Sequence, residues 1–222
     1  MYVADVVRDA ILEGRIQPGQ AIKEKPIAEQ LGVSRGPIRD ALRVLAEEGL
    51  VELRPHRSAQ VPELAASDML ETYALRAAIG SLALRKLMLR SSPAGVESVR
   101  RQLDALSQAA AAEDHHAAVA ADLAFQNAIV RASGLLQAAR VFERLTLRVR
   151  LMVSEQDMDF GRQLETMTLE NRGLYTAITS RDADLCARLW REKVERWVRH
   201  FIEGLRDEEF DAELWVILTR GT

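Results

Sequence analysis

Ile27-Ala28-Glu29-Gln30-Leu31-Gly32-Val33-Ser34-Arg35-Gly36-Pro37-Ile38-Arg39-Asp40-Ala41-Leu42-Arg43-Val44-Leu45 decides the fold of the N-terminal part of this chain. Ile27, Ala28 and Leu31 share one helical face, and Ile38, Ala41, Leu42 and Leu45 share another. The spacing predicts two short helices that bury against each other, with Gly32 supplying the turn between them. Ser34 reads as the N-cap of the second helix, its hydroxyl expected to meet an orphan amide. Pro37 falls in that helix's first turn, where its missing N–H costs little. Arg35 and Gly36 then stand at the helix tip.

Arg35, Arg39 and Arg43 recur every fourth residue, which stacks three guanidinium groups along one edge of the second helix, away from its apolar face. A guanidinium suits a guanine edge or a phosphate because its paired donors bind bidentately. On an arbitrary amphipathic helix such a row is a solvated face, and Asp40, Glu47 and Glu48 could pair with it. Those acids lie mostly toward the C-terminal end, however, which leaves the tip positive. Downstream, Val51 and Leu53 alternate, as do Ala59 and Val61, which predicts a short β-hairpin with His56 and Arg57 at its tip. A recognition helix followed by a wing is an arrangement for the major groove of duplex DNA.

The ordered run from Val6 to Val61 resembles the winged helix-turn-helix of GntR-type bacterial transcription regulators. Its marks are Ile11-Leu12-Glu13-Gly14-Arg15-Ile16-Gln17-Pro18-Gly19, Leu31-Gly32-Val33-Ser34-Arg35, Arg39-Asp40-Ala41-Leu42 and Glu48-Gly49-Leu50-Val51. The resemblance implies that Arg35 and Arg39 read bases or anchor beside them, and that Gly36 lets the backbone approach DNA closely. It also implies phosphate contacts from Lys25 and Arg43, a DNA-facing Ser34, and a wing set in the minor groove by His56 and Arg57. Gly36 stands where these proteins often carry a small hydroxyl residue, and Ser58 where the wing tip often carries glycine.

Composition narrows the classes. A chain of 222 residues with 48% hydrophobic content can bury a sizeable core in one or two domains. Its net charge is only −3, and residues 1–66 hold nine Lys and Arg against ten Asp and Glu, so bulk electrostatics cannot drive nucleic-acid binding. Binding must come from a local patch, which favours selective readout at a dimeric site, with steep salt dependence from phosphate contacts. The single cysteine, Cys186, lies on an apolar helical stripe and excludes a disulfide framework and a cysteine-based zinc site. No apolar run approaches the ~20 residues of a membrane span. Asp5, Arg8 and Asp9 interrupt the N-terminus as in an amphipathic helix rather than a signal peptide. The chain is expected in the cytoplasm, with no membrane partner.

A boundary is expected near Pro62-Glu63-Leu64-Ala65-Ala66-Ser67-Asp68, where Pro62 ends the wing strand and Ser67 can cap a new helix. Residues 1–66 form the DNA-binding domain, and 67–222 an effector-binding and dimerisation domain. The expected fold is mainly α: a winged helix-turn-helix followed by an antiparallel bundle. Helices are expected over 67–89, 93–112, 114–133, 135–155, 161–180 and 182–206. Adjacent His115 and His116 diverge by about 100° on a helix and cannot easily share a metal; they read as a helix start near Asp114. His200, beside Trp197 and Phe201, reads as a packed or partner-facing residue. Beyond the acidic Asp207-Glu208-Glu209, the apolar Leu214-Trp215-Val216-Ile217-Leu218 is expected to dock on its own bundle or on a partner subunit.

Bundles place ligand sites between facing helices. This half resembles the helical effector domain of the fatty-acid-regulator subfamily of GntR proteins. Arg76 in Tyr73-Ala74-Leu75-Arg76-Ala77-Ala78 matches the arginine of that domain's first helix, and Asp122-Leu123-Ala124-Phe125-Gln126 matches an Asp-x-x-Phe-His segment. Glu170-Asn171-Arg172 matches a Glu-His segment, and the run from Arg181 through Lys193 matches a terminal helix ending in histidine. In many members the aspartate and three histidines bind a divalent metal that helps hold a carboxylate. Here the histidine positions are Gln126, Asn171 and Lys193. Amides bind transition metals poorly and a protonated lysine repels them, so no metal or other cofactor is expected. Lys193 could supply the missing charge, pairing with Asp122 or with an anionic effector, or it could snorkel outward. Arg76, Asp122, Gln126, Asn171 and Lys193 are the candidate effector contacts, with Arg148 or Arg150 as a further carboxylate anchor.

The leading reading is a dimeric regulator on a palindromic operator, controlled by a small organic acid. A second reading keeps DNA binding but leaves the helical half to dimerise without a ligand. A metal-dependent hydrolase built on Asp122 fails on inventory: there is no helical histidine pair, nucleophile elbow or phosphate-binding glycine loop.

Overall fold

The computed structural model describes residues 2–54, 57–155, 163–204 and 211–219. The chain divides into two compact units, one of residues 1–65 with 144–157 and the other of 66–143 with 158–222.

In the first unit, α1 (Tyr2–Leu12), α2 (Glu24–Leu31) and α3 (Arg35–Glu47) enclose an apolar core. Val7 and Ile11 of α1 meet Ile38, Leu42 and Leu45 of α3, with Leu50 and Val61 behind them. Burying each such side chain stabilises the unit by about 1.5–3 kcal/mol. The turn after α2 works as its sequence suggests. Gly32 takes the left-handed conformation, at φ 65°, and donates to the Glu29 carbonyl, while Val33 N–H donates to the Ala28 carbonyl at 3.0 Å. Ser34 occupies the N-cap of α3 in extended conformation, but its side chain accepts no bond from the first turn. The expected hydroxyl cap is therefore absent.

The wing holds the expected pairing and adds a strand to it. Residues 51–53 and 59–61 pair antiparallel through Glu52, whose backbone exchanges two hydrogen bonds with Gln60, at 2.7 and 3.0 Å. The other edge of β2 (Ala59–Gln60) pairs antiparallel with β1 (Ala21–Ile22), Ala21 opposite Gln60 and Ile22 opposite Ala59. That second edge is pinned by further bonds. Gly19 N–H donates to the Val61 carbonyl, and Gln60 Nε2 donates to the Gly19 carbonyl at 2.6 Å. Leu53, expected on the apolar face, is half exposed.

The second unit holds α4 (Ala66–Leu89), α5 (Pro93–Ala111), α6 (His115–Ala132), α8 (Gln163–Ser180), α9 (Ala183–Gly204) and α10 (Ala212–Thr219). Of α7 (Leu136–Glu155), the residues before Arg144 group with this unit and the rest with the first. Every expected helix is present within two residues of its bounds. Ser67 lies inside the first turn of α4, which already begins at Ala66. Ser92 and Asp114 do cap, accepting from Gly95 N–H at 3.0 Å and Ala117 N–H at 2.9 Å. Pairs α5–α6, α4–α9 and α8–α9 make the bundle. Gly80 lets α4 approach α9: a Cβ there would sit 2.0 Å from the Trp190 ring, whose Nε1 donates to the Ala77 carbonyl. The C-terminal apolar segment is α10, docked on α4 of its own bundle through buried Trp215.

Candidate DNA interface and buried charge centre

On the first unit the tip of α3 is open. Arg35, Gly36, Arg39 and Arg43 are all exposed, and the first turn carries no acidic residue. Gly36 has only the Ser34 hydroxyl near the place of a Cβ, at 3.9 Å, so nothing obstructs a surface laid against the backbone there. Arg39 pairs with Glu24 at 3.0 Å, Arg43 with Asp40 at 3.4 Å and Lys25 with Glu29 at 3.7 Å. These pairs stand in water and are worth little, so a phosphate or base edge can replace the carboxylate at small cost. Away from the tip, Arg8 forks onto both carboxylate oxygens of Glu48 at 2.8 Å, tying α1 to the end of α3. That pairing raises the Arg8 pKa above its ordinary value. Arg57 is exposed beside β2, and His56 lies outside the described residues.

The second unit buries what the first exposes. Asp122 on α6 accepts from three side chains on three helices. Lys193 Nζ of α9 and Asn171 Nδ2 of α8 both reach its Oδ1, at 2.7 and 2.6 Å, and Gln126 Nε2 of α6 reaches Oδ2 at 2.8 Å. Gln126 Oε1 in turn accepts from Arg76 Nη2 of α4 at 2.6 Å, and the Arg76 guanidinium lies 4.2 Å over the Phe142 ring. All five residues are at least 95% buried. Five of the six candidate effector contacts thus come together. The sixth, Arg148, is half-buried on the part of α7 that groups with the first unit. Arg150 lies there too, its pKa lowered by burial and partly restored by Asp9 and Glu13.

Burial sets the electrostatics of the centre. It pushes Arg76 down to about 10 against the opposing pull of Tyr73 and Asp122, and it raises Tyr73 well above the usual phenol. Glu170 is a participant that the sequence reading left out of the site. Its carboxylate stands 3.6 Å from Lys193 and pairs with Arg196, one turn farther along α9. Burial raises its pKa, with Lys193 and Arg196 opposing. Glu170 lines a cavity of about 330 Å³ with Gln163, Thr166, Met167, Arg196, Trp197 and His200. The signal for it was available, since Lys193 and Arg196 are three residues apart on one face of α9 and leave room for a second acid. His200 stacks edge-on to Trp197 and bonds Gln163, as a packed residue does.

The donor set does not suit a metal ion. Lys193, Asn171 and Gln126 all point N–H groups at Asp122, where an ion would need lone pairs. Gln126 Oε1 is committed to Arg76, which leaves Asn171 Oδ1 as the one amide oxygen of the pair without a hydrogen-bond partner among the described residues. No three of His, Cys, Asp and Glu converge as ligands among the described residues.

The comparisons with known proteins agree with both halves. Residues 2–61 match the model of the bacterial regulatory proteins of the gntR family, and residues 71–196 match the FCD domain. The chain is 31% identical over 187 residues to the "Probable D-xylose utilization operon transcriptional repressor" of Paenarthrobacter nicotinovorans, covering 82% of this chain and 81% of that one. It is 28% identical over 194 residues to the gluconate operon transcriptional repressor of Bacillus subtilis, covering 82% and 76%. The crystal structure of the "transcriptional regulator GntR from Rhodococcus sp. RHA1" superposes with a TM-score of 0.82 at 24% identity, over 92% of this chain and 98% of that one, which shows the shared fold. The two units therefore define a transcription regulator, with a DNA-binding half and an FCD half. The chain belongs to the GntR family, as a DNA-binding transcriptional regulator and not an enzyme. Among the described residues no helix is long and apolar enough to cross a membrane.

Proposed function

We propose that the chain acts as a homodimer on a palindromic operator, its occupancy controlled by a small organic acid held at the buried centre. The observation that carries the DNA half is the open tip of α3. Arg35 makes no ion pair among the described residues, and the Ser34 hydroxyl leaves the first-turn amides uncapped, so both are available to DNA. Arg35 and Arg39 are assigned to base edges, Lys25, Ser34 and Arg43 to phosphates, Gly36 to close backbone approach, and Arg57 with His56 to the minor groove.

For the effector, the support is chemical. Lys193 has three N–H donors and Asn171 Oδ1 is a spare acceptor, so a carboxylate bearing a neighbouring hydroxyl satisfies both. Relatives named for sugar and sugar-acid operons support the same ligand class. The second reading, a helical half that only dimerises, is favoured by one fact: Asp122 is already satisfied by three donors.

The test is selection of bound fragments from random duplex DNA, followed by titration of the selected site with small hydroxycarboxylates. Selected sites should show dyad symmetry, and one hydroxy acid should shift operator affinity at least about 5-fold, the low end of usual allosteric coupling. Asymmetric sites would refute the dimeric operator. Affinity unmoved by the whole panel, with no thermal stabilisation by any member, would leave the dimerisation-only reading standing.

A further inference from the structure

We propose that Lys193 is the resident cation of the helical unit: its ammonium takes the place of a divalent ion at Asp122, closing the centre to metals and making it independent of them. The geometry points there. One carboxylate is approached by side chains from α6, α8 and α9, and each presents a proton rather than a lone pair. The ammonium sits 2.7 Å from Oδ1 and is 2% exposed, so no ion can reach that oxygen without displacing it.

Displacement has an apparent route, because Glu170 stands 3.6 Å from the same nitrogen and could receive it. What would remain for the ion is Asp122 and the one spare amide oxygen of Asn171. Hard cations require about six oxygens, and transition metals prefer imidazole or thiolate. Arg76 and the displaced Lys193 would add two positive charges within the same buried cluster, and in that low-dielectric setting they oppose a dication strongly. The substitutions at Gln126, Asn171 and Lys193 therefore act together. Two amides orient the carboxylate and the lysine neutralises it, leaving no ligand set half removed.

The inference concerns the resting centre and does not require the proposed effector, so failure of the effector reading would leave it intact. The test uses the full chain, melted by tryptophan fluorescence after EDTA treatment and again with excess zinc, nickel or manganese. All three tryptophans, Trp190, Trp197 and Trp215, belong to the helical unit, so the signal reports that unit. The midpoint should agree within about 1 °C in all conditions, since an ion that does not bind the native state cannot stabilise it. A fall of about 5 °C or more in EDTA, restored by any of these ions, would overturn the proposal.

A converse arm uses Gln126→His/Asn171→His/Lys193→His. Three imidazoles beside Asp122 should create metal dependence, with a midpoint raised by about 5 °C or more by zinc. Lys193→Met alone should melt lower than the parent and gain nothing from zinc. Rescue of Lys193→Met by zinc would show that Asp122 with the two amides suffices as a ligand set, which would overturn the claim that the three substitutions act together. Should the triple variant fail to fold, the parent's response to EDTA and zinc still decides.

Discussion

The tip of α3 and the centre around Asp122 use the same residue types to opposite ends. At the tip, Arg39 and Glu24 meet at 3.0 Å with both side chains in contact with solvent. Such a pair contributes about 0–1 kcal/mol, is screened by salt, and gives way to another anion. In the centre, Lys193 and Asp122 meet at 2.7 Å with side chains 2% and 5% exposed. Neither can return to water without unfolding, so each depends on the other to offset its desolvation. Exchangeable pairs suit a surface that must trade carboxylates for phosphates and bases. A fixed pair suits a keystone that joins three helices.

The largest expected effect breaks that keystone. Lys193→Met or Asp122→Ala should destabilise the helical unit by about 3–5 kcal/mol, because each leaves an uncompensated buried charge. Combining Lys193→Met with Asp122→Leu should recover part of the loss, since it removes both buried charges but leaves the Asn171 and Gln126 amide donors without their acceptor. Urea titration followed by tryptophan emission measures both, and the midpoint rather than the slope should move. A loss under about 1 kcal/mol in either single variant would place Lys193 among the exchangeable pairs and erase the contrast.

Much of this contrast is legible in the sequence. Helical periods of ten or more residues with clear stops at Ser92-Pro93, Asp114, Gly134 and Asp182 fix the bundle, because one face of each helix must be buried. The match to an FCD pattern also brings Arg76, Asp122, Gln126, Asn171 and Lys193 together before any geometry is known. The wing is less legible. A two-residue strand such as Ala21–Ile22 has no period to read, and its pairing with Ala59–Gln60 spans almost forty residues of chain. Alternation at Val51 and Leu53 reveals only the local pairing, that of Glu52 with Gln60. Glu170 escapes because its neighbour Asn171 occupies the position of interest; the Lys193 and Arg196 spacing hints at a second acid, and the geometry shows it sharing Lys193 with Asp122.

The next effect sharpens the exposed side. Arg35→Ala and Arg39→Ala should each weaken binding to a selected operator by about 1–3 kcal/mol, roughly 5- to 150-fold, while the tryptophan melt stays unchanged. Glu24→Ala removes only a competitor for Arg39, so operator affinity should hold or rise. Arg43→Ala, if its contact is to a phosphate, should lower affinity on all sequences alike and reduce the salt slope by about one. Fluorescence anisotropy across a range of salt distinguishes these outcomes. A fall in affinity from Glu24→Ala equal to that from Arg39→Ala would mean that the pair acts as a fixed unit, like the buried one.

Glu170 stands between the two regimes, with a buried partner in Lys193 and a half-exposed one in Arg196. Its raised pKa states which regime wins, because the cost of burying the carboxylate exceeds what the two cations return. The sign for stability follows by linkage. The unfolded carboxyl ionises near its ordinary 4.5, whereas the folded one holds its proton to higher pH. Folding therefore takes up a proton in that interval, and the stability contributed by this group falls as pH rises through it. Glu170→Gln keeps the shape without the charge. It should match the parent below pH 4.5 and melt slightly higher at neutral pH, by no more than about 1 kcal/mol. Melting curves of parent and variant across that interval give the difference directly. A variant that melts lower than the parent at neutral pH would show that Lys193 needs both acids, so that the keystone is a triad rather than a pair.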